Sequence, residues 1–384
     1  PELEPSNVTL DSSMGLRFHP NSGLLAGILA ETSAATRANI DGAIFCSISG
    51  DDTSNNRHNP MYWIQAAGSR GELSELVGTS QRASGGRAEA PPASINPAIA
   101  PVQISRPEDV LSLVDPGRIS RDEAEKIMRA AGAMSDSKLL AFQQKDLPTQ
   151  IRELVQCGYI SSVEMLTRFD ETNVSPTLDE QINLGGTSLF DFGDNNERKT
   201  GSVAKMVMDS FAGAGTVELG GYDYHAQGRT RTDNSDINAG RMVGKSLELA
   251  ARKGRDLMIY VFTDGSVVAN ATRDTAATGI ASVDVEKFAH RSDNGLRSTA
   301  FMLVYKADGK PQIRNGNRQI GSFSDAGSVE RTSSAVADNV EALTMAVVAN
   351  YLALIGKEGK LADIVGQNPF GSSLDTYLAF NKLR

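Results

Sequence analysis

Thr216-Val217-Glu218-Leu219-Gly220-Gly221-Tyr222-Asp223-Tyr224-His225, and further on Asp256-Leu257-Met258-Ile259-Tyr260-Val261-Phe262-Thr263-Asp264-Gly265-Ser266, are the stretches whose reading decides the fold. Residues 256–263 are almost all apolar and too few for a buried helix, as expected of a strand covered on both faces. Residues 216–219 read as a shorter strand, and 238–253 as a helix between the two. Strand, helix, strand in that order predicts parallel neighbours joined by a right-handed crossover. With further strands at 43–48 and 299–305, the predicted fold class is α/β, a mostly parallel sheet flanked by helices.

Working outward, Asp223 and His225 fall on a loop just past the carboxyl end of one predicted strand, and Asp264 falls at the end of the next. Ligands of α/β proteins bind along that edge, and the expected parallel pairing would bring these three residues together. The Gly220-Gly221 pair permits unusual backbone angles or close approach to the chain. Another reading stays open: aspartates at strand ends form Asx-turns or cap the following helix. After 43–48 comes the polar loop Ser49-Gly50-Asp51-Asp52-Thr53-Ser54-Asn55-Asn56-Arg57-His58-Asn59-Pro60, rich in turn formers.

The order strand, G-G-Y-D-Y-H, helix, Y-V-F-T-D-G-S resembles a bacterial and phage family of the alkaline phosphatase/sulfatase superfamily, whose members typically read G-G-W-D-T-H and then V-T-F-S-E-F-G-R. The resemblance covers residues 43–63, 216–266 and, more weakly, 288–305. It implies an alkaline-phosphatase-like fold, divalent metals held by strand-end carboxylates and histidines, and a Ser or Thr nucleophile. Carried over by position, Asp51, Asp52, Asp223, His225 and Asp264 are the metal-ligand candidates. The chain departs from the pattern at Thr263-Asp264-Gly265, which replaces S-E-F-G without a following Arg. It departs again at His290, Asp293 and Asn294, which stand where the family has D-H-G-H. Only four histidines occur, His19, His58, His225 and His290, so an oxygen-rich magnesium or calcium site suits the chain better than a zinc pair. No nucleophile is singled out among Thr53, Ser54 and Ser266.

Composition narrows the rest. The 384 residues are 40% hydrophobic and 22% charged, which fits a folded chain and reads as one α/β domain over 1–384. A formal charge of −9 without a Lys/Arg cluster argues against a nucleic-acid partner. Cys46 and Cys157 are too few for a disulfide framework or a thiolate zinc site, and each is expected to be a small buried hydrophobe. No apolar run is long enough for a membrane span, and the first residues show no signal peptide.

A long Ala/Gly/Pro loop is expected over 78–107. A helical insertion follows over 107–170, with helices near 120–131, 136–144 and 147–155, the first opened by the capping box Ser120-Arg121-Asp122-Glu123. Beyond it come a helix at 202–211, an edge strand at 312–320, an apolar helix at 333–355, and an aromatic tail at 366–384. That tail reads as a piece of the core or as a subunit contact. His58 is expected to hydrogen-bond within its loop, and His19 and His290 to lie at the surface.

Two functional expectations follow. The first is a non-catalytic structural or assembly protein on a phosphatase-like scaffold, a homo-oligomer or a subunit of a virion or extracellular particle. The second is a metal-dependent hydrolase of phosphate or sulfate esters.

Overall fold

The computed structural model describes residues 9–48, 59–79, 101–114, 120–141, 169, 171–225, 227–263, 265–273, 288–293, 299–325 and 327–384. The chain divides into two compact units, Pro1–Ser105 with Leu189–Arg384, and Arg106–Ser188.

The larger unit is built on a four-stranded sheet in the order β5-β8-β1-β9, where β1 is Ile40–Cys46, β5 Leu257–Val261, β8 Thr299–Tyr305 and β9 Gln319–Ile320. Strand β8 runs antiparallel to both of its neighbours, and β9 runs parallel to β1. Alternation places Ala43 and Phe45 of β1, Ala300, Met302 and Val304 of β8, and Met258 and Tyr260 of β5 on one face, in one apolar cluster. The helix Val340–Leu354 lies in that cluster and is buried on nearly all sides, as its apolar composition requires.

The tail also belongs to this cluster. Phe370, Leu378, Ala379 and Phe380 are buried in it, and Asn350 fastens the chain. The Asn350 carboxamide donates to the Ala346 and Tyr377 carbonyls at 2.9 and 2.8 Å and accepts from the Ala379 amide at 2.7 Å. Of the two readings of residues 366–384, the structure selects the core.

On the opposite face Phe18 meets Phe301 edge to face at 6.4 Å, and a Cβ on Gly42 would collide with Leu16. Beside them the helix Gly23–Glu31 crosses the helix Arg229–Lys253 with backbones in contact. A Cβ on Gly27 would lie 2.1 Å from the Ile237 carbonyl oxygen, and one on Gly240 2.1 Å from that of Leu24. Gly23 and Gly244 extend the same seam, so glycines at four-residue spacing on both helices set the distance of approach.

A second sheet is wholly parallel, in the order β3-β2-β4, with β2 Ser74–Gly78, β3 Val102–Gln103 and β4 Ala212–Thr216. Strands β6 (Val267–Arg273) and β7 (Phe288–Asp293) form an antiparallel pair.

The α/β class holds, and several expectations are corrected. The strand before the Gly-Gly loop is β4, ending at Thr216, and it does not pair with β5. Its place beside β5 is taken by β8, which pairs with it over five residues and buries Ala300, Met302, Leu303, Val304 and Tyr305, where the glycine-rich β4 offers almost no side chains. The helix expected at 238–253 begins at Arg229, and that at 202–211 is Asn195–Met208, capped by Asp194 accepting from the Asn196 and Glu197 amides. The apolar helix begins at Val340, where Asn339 caps it, instead of at 333. Of the strand expected at 312–320 only Gln319–Ile320 pairs as β9.

In the smaller unit the Ser120 capping box forms, with the Glu123 amide donating to Ser120 Oγ at 3.2 Å and Glu123 accepting from the Ser120 amide at 2.8 Å. It opens one unbroken helix, Arg121–Ala141, where separate helices at 120–131 and 136–144 were expected. The Ala-rich run before Ser135 is strongly helix-forming and carries the hydrogen-bond ladder through. The helix expected at 147–155 lies outside the described residues, as does most of the loop expected at 78–107.

Candidate functional site

Strand β4 ends where three polar contacts fix it. Asn59 Nδ2 donates to Thr216 Oγ1 at 3.0 Å, the Thr79 amide to the Thr216 carbonyl at 3.2 Å, and the Glu218 amide to Thr79 Oγ1 at 2.9 Å. Beyond them Gly221 has φ +92°, a conformation that favours glycine and turns the chain.

From there the residues alternate in role. The Tyr222 hydroxyl donates to the Ser235 carbonyl at 2.8 Å. The Tyr224 hydroxyl donates to Asp236 Oδ1 at 2.7 Å and approaches the Thr232 carbonyl at 3.1 Å. Both rings are thereby pinned to the helix Arg229–Lys253. Burial, helped by the Asp236 carboxylate, pushes the Tyr222 hydroxyl up to about 12 and raises that of Tyr224 as well. The intervening Asp223 and His225 point to solvent, with side chains 70% and 50% exposed, and Asp223 Oδ1 pairs with His225 Nδ1.

His290 of β7 closes the back of this loop. Its ring stacks on Tyr224 at 5.5 Å between centroids. Its Nε2 lies 3.1 Å from both Arg229 Nη1 and Thr232 Oγ1. Arg229 in turn pairs with the buried Asp233 at 3.3 Å. The surface position expected for His290 is therefore corrected, because the ring is half-buried by stacking and by these polar partners. His19 is also half-buried, and its Nδ1 accepts from the Asn21 amide at 3.1 Å.

Of the five metal-ligand candidates, Asp223 and His225 are together, and Asp51, Asp52 and Asp264 lie outside the described residues. So do His58, Thr53 and Ser54. Strands β1 and β5 both run against β8, so their carboxyl ends share one sheet edge, about 10 Å apart at two strand spacings. Strand β4 delivers the Asp223 loop from the other sheet. Among the described residues no group of three or more His, Cys, Asp or Glu side chains is placed to hold a metal ion. Of the donors that the resemblance implies, the two described ones, Asp223 and His225, face solvent and pair with each other.

The structure adds a feature that sequence reading missed. A shallow groove of about 700 Å³ is lined by Asn196, Gly220, Thr230, Arg231, Asn234, Ser235 and Asn238. The signal was present in the spacing: Arg231, Asn234, Ser235 and Asn238 follow the i, i+3, i+4, i+7 rule for one helix face, with polar residues in place of apolar ones. It was masked because Asn and Ser are weak helix formers and the run reads as loop.

Compared with protein-family models, curated proteins and solved structures, the chain matches none.

Proposed function

We propose that this protein is a non-catalytic structural or assembly component. The observation that carries the reading is the state of the Gly-Gly-Tyr-Asp-Tyr-His loop. Its two tyrosines anchor it to a long helix, and Asp223 and His225 are turned outward and pair with each other. A loop fastened in this way presents a surface, and neither Asp223 nor His225 is aimed at an enclosed reaction space.

The edge of the main sheet among the described residues supports the assembly part of the reading. Strand β5 stands at that edge, and Leu257, Met258, Ile259, Tyr260 and Val261 are each partly exposed. Edge strands of free-standing proteins are blunted by charge, proline or bulges. This one has none between Leu257 and Val261.

The test is metal content by inductively coupled plasma mass spectrometry, together with light scattering on the same purified sample. A homogeneous oligomer without stoichiometric metal is the expected result. Stoichiometric metal that disappears in Asp223→Ala, with hydrolysis of p-nitrophenyl phosphate or sulfate, overturns the reading in favour of a metal-dependent ester hydrolase.

A further inference from the structure

The groove beside Gly220 is made by the helix face Arg231, Asn234, Ser235 and Asn238, by Thr230, and by Asn196 from the neighbouring helix. Its chemistry is distinctive for what stands in it: three carboxamides, two hydroxyls, one guanidinium and bare backbone, with neither a carboxylate nor an aromatic ring in the lining. Carboxamides and hydroxyls each offer a donor and an acceptor. A lining of this kind is complementary to a ligand carrying donors and acceptors at similar density and no net charge.

Three details point to recognition and away from a merely wet surface. First, Asn196 and Asn234 have no side-chain hydrogen bond within the chain among the described residues, so both carboxamides are open to a ligand. Asn238 and Ser235 lie beside the hydroxyls of Tyr222 and Tyr224. Second, Gly220 is explained by neither conformation nor packing. It is not among the glycines with positive φ, and a Cβ there would meet nothing within 4 Å. Its missing side chain leaves the backbone open to close approach from the groove. Third, the floor is rigid, because Tyr222 and Tyr224 tie the loop to the same helix that supplies the stripe.

We infer that this groove binds a neutral saccharide, its hydroxyl groups meeting Asn196, Asn234, Asn238 and the backbone at Gly220. From Arg231 to Asn238 the stripe spans about 10 Å at 1.5 Å per residue, enough for two pyranose rings. A polyanion fits less well, because Arg231 is the sole cation of the lining and polyanions are held by several cations together. A peptide fits less well too, since peptide grooves take specificity from side-chain pockets or from a sheet edge, and the groove has neither.

The inference is independent of the assembly reading, since oligomer and metal measurements do not bear on it. It is tested by isothermal titration calorimetry of the full chain with maltohexaose, cellohexaose and mannohexaose, and with heparin and an unstructured peptide pool as contrasts. The expected result is saturable binding of at least one neutral hexasaccharide. Asn234→Ala and Gly220→Val should each weaken it at least about tenfold with an unchanged melting temperature. Failure of all three hexasaccharides to bind overturns the inference. So does binding that both variants leave intact, or an Asn234-dependent affinity for heparin or peptide that exceeds that for sugar.

Discussion

Asp41 and Arg318, far apart in sequence, meet through two hydrogen bonds, Nε to Oδ1 at 2.9 Å and Nη2 to Oδ2 at 2.8 Å, with the Asp41 side chain 2% exposed. This forked pair closes the end of β1 over the turn Gly15, where a Cβ would lie 1.9 Å from Asp41 Oδ1. Arg318→Ala leaves a buried carboxylate to the Gly42 amide, at 2.8 Å, and to Lys310, at 3.8 Å. The expected loss is about 3 kcal/mol of unfolding free energy in urea. Asp41→Asn in the same chain should restore part of it, which a loss due to packing alone would not.

The seam between Gly27 and Gly240 leaves no room for a methyl group. Gly240→Ala should therefore destabilise the larger unit by about 1–3 kcal/mol, although alanine is the better helix former. Thermal melts of Gly240→Ala against Gly254→Ala, a glycine at the same helix's end with open space around it, separate crowding from backbone strain.

The Gly-Gly loop should respond to its tyrosines and not to its charges. Tyr224→Phe removes the donor to Asp236 and Thr232 and should cost about 1–2 kcal/mol. Asp223→Ala breaks only a solvent-exposed pair and should stay within about 0.5 kcal/mol of the parent. Equal losses from the two variants, read from urea midpoints, would contradict the anchoring described above.

Cys46 is fully buried, and burial pushes its thiol up to about 12. In a Cys157→Ser chain, where it is the remaining thiol, it should not react with a disulfide reagent near about pH 8 until the protein unfolds. Rapid labelling of the native chain would show that the β1 end opens.

Tyr222 ionises in the unfolded chain near its ordinary value of 10.0 and in the folded chain near about 12. Below 10.0 its contribution to stability is complete. As pH rises through that window the unfolded chain gives up its proton first, and the contribution is lost by about 12. Stability should therefore fall on the alkaline side, and Tyr222→Phe should flatten the fall. Urea midpoints across the range give the slope directly.

Strand content was legible where the signal is local. The stretch 299–305 coincides with β8, and 256–263 contains β5, because a short apolar run bounded by turn residues needs no distant information. Helix starts were less legible. Residues 229–237 fell outside the helix expected at 238–253, yet they are helical because Gly23–Glu31 packs along them and two tyrosines hold them from outside. Of the candidate site, the placement of Asp223 and His225 on a loop after a strand was legible, and their pairing with each other was not.

What the sequence by itself determined about this protein is its α/β character, the strands β1, β5 and β8, and the loop that carries Tyr222 through His225, since each follows from periodicity and turn chemistry within a few residues, whereas the strand expected at 216–219 lies at Ala212–Thr216. The tertiary structure alone decided which strands pair, which charges meet and which polar stripe lines a groove. The antiparallel β8 stands between β1 and β5, Arg318 finds Asp41 across 277 residues, and glycines on two helices choose each other by fit. Those choices are made by contacts between distant parts of the chain, and no local pattern encodes which distant part will arrive.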